Sequence, residues 1–249
     1  QTKALDTLTV AFNTTLGSTQ ATAQAQEYLL DISERFGANL LGASQAYLKF
    51  SAASTQAGVS AEETQKIFTS VTKASSILGL GAERTSYVFL ALEQIMSKGR
   101  LSTEELRRQL GEHLPGAFGI MADALSVTTA KLTDMLKKGE ILSTDALPKF
   151  ARQIEKAYGI DKVERIDNLA AAQERFNSQL TLLTKDLDLS DAFKDLFNNL
   201  ASLVKLFADN ASGIVTLGKA LFQLGLAWAA WKTAMIATNA LQTVNLTLI

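Results

Sequence analysis

Apolar residues recur at helical spacing through the middle of the chain. Ile67, Val71, Ala74 and Leu78 mark one face of a helix. Gly79 and Gly81 break it. Tyr87, Leu90, Ala91 and Ile95 mark the apolar side of the next, which ends at Lys98-Gly99. Start signals agree with these stops. Ser60-Ala-Glu-Glu63 and Ser102-Thr-Glu-Glu105 are capping boxes, in which a serine accepts from a backbone N–H and a glutamate reaches back three residues. The second predicts a helix over Glu104–Leu110. Leu114-Pro115 then predicts a helix over Ala117–Leu125 with proline in its first turn, where the missing N–H is no loss. Thr128 or Thr129 caps a helix through Leu132, Met135 and Leu136, stopped by Gly139. Ser143 caps another, with Pro148 in its first turns and Phe150 and Ile154 facing inward.

The flanks differ in texture. Thr7 to Gln26 carries no charge and predicts a weakly specified helix or extended segment; helical composition resumes at Glu27 and stops at Gly37. Val163, Ile166, Leu169, Phe176, Leu180, Leu183 and Leu187 predict a long amphipathic helix of coiled-coil character. A second follows through Phe193, Leu196, Phe197, Leu200, Val204 and Phe207. Residues 210–249 hold only Lys219 and Lys232 as charges. There Gly225, Ala229, Thr233 and Ala237 form a small-residue stripe that lets helices approach closely, in water or in lipid, with Trp228 and Trp231 one turn apart. The uncharged runs fall short of the roughly 20 apolar residues of a spanning helix. Four regions result: a low-charge segment over 1–37, a compact multi-helix domain over 38–158, amphipathic helices over 159–209 and an apolar helical segment over 210–249. The chain starts without Met and stops inside an apolar stretch, so the expectation is a fragment of a longer polypeptide.

Composition narrows the chemistry. Hydrophobic residues are 47% and charged residues 20% of 249, which argues against general disorder. Two prolines and 7% aromatics suit an all-α fold. The absence of cysteine excludes disulfides and thiolate metal sites, and one histidine, His113, leaves no zinc cluster. No metal, cofactor or catalytic group is expected. Glu104, Glu105 and Glu112 could be imagined as hydrolase carboxylates, but an i, i+4 pair of Glu104 with Arg108 and acids in a first helical turn account for them more simply. A net charge of −1 argues against a broad basic footprint. Lys98, Arg100, Arg107 and Arg108 make a small basic cluster interleaved with acids, and no specific nucleic acid is expected there.

One pattern repeats. Met96-Ser-Lys-Gly99 followed by Leu101-Ser-Thr-Glu-Glu-Leu106 returns as Leu136-Lys-Lys-Gly139 followed by Leu142-Ser-Thr-Asp-Ala-Leu147. Two copies are too few for a solenoid, and helix-glycine-loop-cap grammar alone produces such an echo.

The segment from Gln94 to Ala117, with Gly99, Ser102, Glu105, Leu106, Gln109, Leu110, Pro115 and Gly116, resembles the characteristic stretch of the tape measure domain of tailed bacteriophages. Leu125-Ser-Val127, Leu132 to Ile141 and Leu147-Pro-Lys-Phe150 continue the resemblance, which covers about residues 40–158. It implies a structural protein of the tail tube lumen that sets tail length during assembly and is ejected to help DNA cross the host envelope. Copies of itself, tube and tail-tip or hub proteins, tail assembly chaperones and, after ejection, the host inner membrane are the partners it implies. A helical pore-forming toxin, which also joins a soluble bundle to an apolar helical segment, is the alternative from another class.

Overall fold

A computed structural model describes residues 2–187, and every regular element in them is helical. In chain order these are α1 (Thr2–Leu16), α2 (Thr19–Phe36), α3 (Leu40–Gln56), α4 (Ala61–Ile77) and α5 (Ala82–Lys98). A π-helical segment (Glu104–Leu110) runs into α6 (Gly111–His113). Then come α7 (Ala117–Ala124), α8 (Thr129–Lys138), α9 (Ser143–Ala157) and α10 (Leu169–Leu187). The fold is all-α, as the periodicity predicts. The second helix predicted over Phe193–Phe207, and Gly225, Trp228, Ala229, Trp231, Thr233 and Ala237, lie outside the described residues.

The low-charge N-terminal stretch is helical. Gly17 and Ser18 divide it, and the Ser18 hydroxyl accepts from the Ala21 N–H to start α2. Phe12, Leu29, Ile32 and Phe36 place α1 and α2 in the same core as the helices that follow. An aromatic spine ties the first five helices together. Phe12 of α1 lies 6.4 Å from Tyr47 of α3, which lies 5.1 Å from Phe68 of α4, which stacks at 4.1 Å on Phe89 of α5. Tyr28 of α2 joins at 5.3 Å from Tyr47, and its hydroxyl donates to the Gln65 carbonyl. Burial pushes the Tyr28 phenol far above its ordinary value, so the hydroxyl stays protonated as a donor. α3 packs along α5, and α9 packs against α4 and α7 through Leu147, Phe150 and Ile154.

Two helix faces and one helix start depart from the sequence reading. On α5 the core takes Val88, Phe89, Leu92 and Met96 beside Ala91 and Ile95, while Tyr87 and Leu90 face outward. The stacking of Phe89 on Phe68 fixes that rotation. The helix predicted from residue 161 begins only at Leu169. Gly159 ends α9 in the left-handed region, and the Asn168 side chain caps α10 by accepting from the Ala171 N–H. Between them Ile160 and Ile166 are buried in an irregular connection. Finally, α10 lays Ala171, Ser178 and Thr181 against the body, and Leu169 and Phe176 of the expected seam point away from it.

Candidate functional site

The two echoed sequences meet. α5 ends at Gly99 (φ +70°) and α8 at Gly139 (φ +64°), both left-handed, where a residue with Cβ is strained. Each glycine turns the chain into a short extended loop, and the loops pair. The Leu101 N–H donates to the Ile141 carbonyl at 2.9 Å, and the Ser143 N–H donates to the Gly99 carbonyl at 3.1 Å. This antiparallel bridge, centred on Arg100 and Leu142, is the one bridge among the described residues. Arg100 Nη1 closes it by donating to the Gly139 carbonyl at 3.0 Å. The echo is therefore a pair of matched half-clasps, each helix–glycine–loop–helix, whose loops satisfy one another's backbone groups.

Pairing changes what the two serines do. Ser143 is predicted as a cap, but it is the first residue of α9, buried, with its hydroxyl 3.8 Å from Met96 Sδ; Leu142 holds the cap position. Pro148 is the sixth residue of α9, beyond the first turn, so the Thr144 carbonyl receives no helical N–H from it. Ser102 is also not a backbone cap. Its hydroxyl donates to the Glu105 carboxylate, and Lys98 donates to the other oxygen of the same group. The helix predicted over Glu104–Leu110 is present with those bounds, and it is π-helical. The capping glutamate has turned inward: the Glu105 side chain is 0% exposed. Burial opposes its charge, yet Lys98, Ser102 and its own backbone N–H outweigh burial and hold the carboxyl below the usual glutamate range.

The other motif residues sit around this clasp. Leu106 and Leu110 are buried on the inner side of the π-helical segment, and Gln109 is half-buried between them. Pro115 lies in the turn before α7, outside the helix predicted to contain it; its carbonyl accepts from the Tyr158 hydroxyl at the end of α9. Gly116 follows with φ +73° and precedes α7.

No paired carboxylates face a cleft here. Glu104 is exposed and 3.5 Å from Arg108, whereas Glu105 is enclosed. His113 stacks on Tyr87 at 4.8 Å. The basic cluster is engaged by the protein itself: Arg107 lies over the Phe118 ring at 3.9 Å, while Lys98 and Arg108 pair with Glu105 and Glu104. Among the described residues no group of three His, Cys, Asp or Glu side chains could hold a metal ion. No described helix is long and apolar enough to cross a membrane.

Sequence reasoning found the motif and the echo but not their contact, because an antiparallel bridge between residues 42 positions apart leaves no periodic trace. The single available signal was the repeat itself.

Comparison with known proteins places this architecture. The profile of the family described as "Tape measure protein" matches residues 2–209, extending on both sides of the 40–158 stretch that carries the resemblance. A probable tape measure protein of Salmonella phage Felix O1 (isolate Felix O1-VT1) is 28% identical over 188 residues, covering 74% of this chain and 25% of that protein. The chain thus spans about a quarter of that relative's length. No solved structure matches it. With the profile spanning most of the sequence and every described regular element helical, the chain belongs to the tape measure protein family.

Proposed function

We propose that this chain is a section of a structural ruler that occupies the lumen of a phage tail tube, sets tail length during assembly and leaves with the DNA at infection. The observation that carries the reading is the family match over residues 2–209. The physics agrees with it. Helices give a chain a fixed rise of about 1.5 Å per residue, which makes helical length a measure of sequence length. The 249 residues, if wholly helical, would span roughly 370 Å. That figure is an upper bound, because α1–α9 fold back on one another. On this reading the clasped body is a module carried by the ruler, and the length is measured by helices of the wider polypeptide.

The role is structural, not enzymatic. Its partners are copies of itself, the tube wall, tail-tip or hub proteins and the chaperones of tail assembly. Contact with the host inner membrane after ejection belongs to residues 210–249, where charge is nearly absent. Electron cryomicroscopy of virions, before and after DNA release, tests the placement. Density for this chain along the tube lumen, lost from emptied particles, is expected. Purified virions that lack the chain, or lumen density unchanged after release, would overturn it.

A further inference from the structure

We propose that α10 is a releasable strap, hinged at residues 167–168, which detaches as a unit while α1–α9 stay folded. The basis is how α10 is held. The helix docks on the corner between α2 and α3, and polar groups make most of the named contacts. Ser178 Oγ accepts from the Leu40 N–H at 3.2 Å and from the Ser33 hydroxyl at 3.1 Å. Asn39 Nδ2 donates to Glu174 at 3.0 Å. In the connection ahead of α10, the Ile166 N–H donates to the Arg35 carbonyl at 2.8 Å, and Arg35 Nε donates to the Glu164 carbonyl at 3.0 Å. Asn168 Nδ2 reaches the Ser76 carbonyl at 3.2 Å. Water can replace each of these bonds, so their net hold is modest. Among its described side chains, those that α10 fully buries are small or polar, namely Ala171, Ser178 and Thr181, and Leu182 packs on the core half-buried. The contrast is α9, which packs on α4 and α7 and buries Leu147, Phe150 and Ile154, whose burial water cannot replace.

Packing along α10 is also incomplete. A cavity of about 50 Å³ beside Glu174 is lined by Asn39, Thr72 and Ser76. Another of about 120 Å³ beside Leu182 is lined by Leu8, Phe12 and Leu40. Unfilled space on both sides removes dispersion contacts that would otherwise bind the helix. One point is close. A Cβ on Gly37 would stand 2.3 Å from the Ala171 Cα, so helix and corner meet backbone to backbone only because residue 37 is glycine. The hinge falls after Ile166: Ile160 and Ile166 are buried and stay with the body, whereas Asp167 is exposed. Release turns a helix lying along the body into an arm of 19 residues, roughly 28 Å long.

Hydrogen exchange of the intact chain, read by mass spectrometry, tests this. Amides of 169–187 are expected to exchange about 100-fold faster than those of α4 and α9, as a separate opening unit. Ser178→Ala should speed exchange in α10 by about tenfold, leaving α4 and α9 unchanged. Gly37→Ala should do the same or more. Gly58→Ala, equally left-handed (φ +77°) but with nothing within 4 Å, should leave α10 unchanged. If Gly37→Ala does not fold, Ser178→Ala decides alone. Protection of α10 equal to that of α9, or acceleration of all helices together in Ser178→Ala, would overturn the proposal.

Discussion

Replacing Glu105 with Gln would leave Lys98 and Ser102 facing an uncharged amide whose own side chain is buried. We expect Glu105→Gln to cost about 1–3 kcal/mol in urea unfolding, the range for a disrupted buried hydrogen-bond group. The pH dependence has a definite sign. The folded carboxyl is held below the ordinary glutamate value of about 4.3, so its contribution is present above that value and is lost as pH falls through the folded one. Thermal unfolding of wild type and variant should therefore converge as pH is lowered from 6 to below 3. The two Ser-x-x-Glu boxes give a second test at this scale. Ser60 accepts from the Glu63 N–H at 3.2 Å, so Ser60→Ala should cost about 0.5–2 kcal/mol in any background. Ser102 acts through the Glu105 side chain. Its cost should shrink toward zero in a Glu105→Gln background, which a double-mutant cycle measures. Identical four-residue patterns thus do different work. Nothing within Ser102-Thr-Glu-Glu105 announces that its glutamate will be buried with Lys98 and Ser102 on its two oxygens.

Elements were legible where a start signal and a glycine stop bracketed an apolar face. Ser60 opens α4 and Thr128 opens α8, while Gly37, Gly99 and Gly139 close α2, α5 and α8, each in the left-handed conformation. Gly139→Ala should cost roughly 1–2 kcal/mol from backbone strain alone. Its Cβ would meet only Arg100, at an ordinary 3.5 Å. A larger loss in chemical denaturation would show that the clasp itself had opened. Legibility ended where tertiary contact overruled local pattern. The loop pairing takes Ser143 into the core as the first residue of α9. The stacking of Phe68 on Phe89 turns α5 so that Tyr87 and Leu90 face outward. The body takes Ala171, Ser178 and Thr181 of α10 and leaves Leu169 and Phe176 exposed, and no helical-wheel argument anticipates that choice. The aromatic spine joins the first five helices at this scale. Phe68 touches rings from α2, α3 and α5, so Phe68→Ala should cost about 3–5 kcal/mol and lower the melting temperature accordingly.

At the scale of the molecule, the family was readable from the stretch around Gly99 to Gly116, because glycine, leucine and the Leu-Pro pair occur there in a specific order. What that stretch builds was not readable: a clasp of two matched loops within a helical body that also takes in α1 and α2. The proposed ruler role requires length outside this body, in keeping with a chain that matches a quarter of a much longer relative. The most direct measurement is tail length in phage whose complete tape measure gene carries in-frame deletions in helical stretches outside the body. Removing about 100 helical residues should shorten tails by about 150 Å, in proportion to the residues removed. Tails of unchanged length, assembled with the shortened protein inside them, would contradict the account.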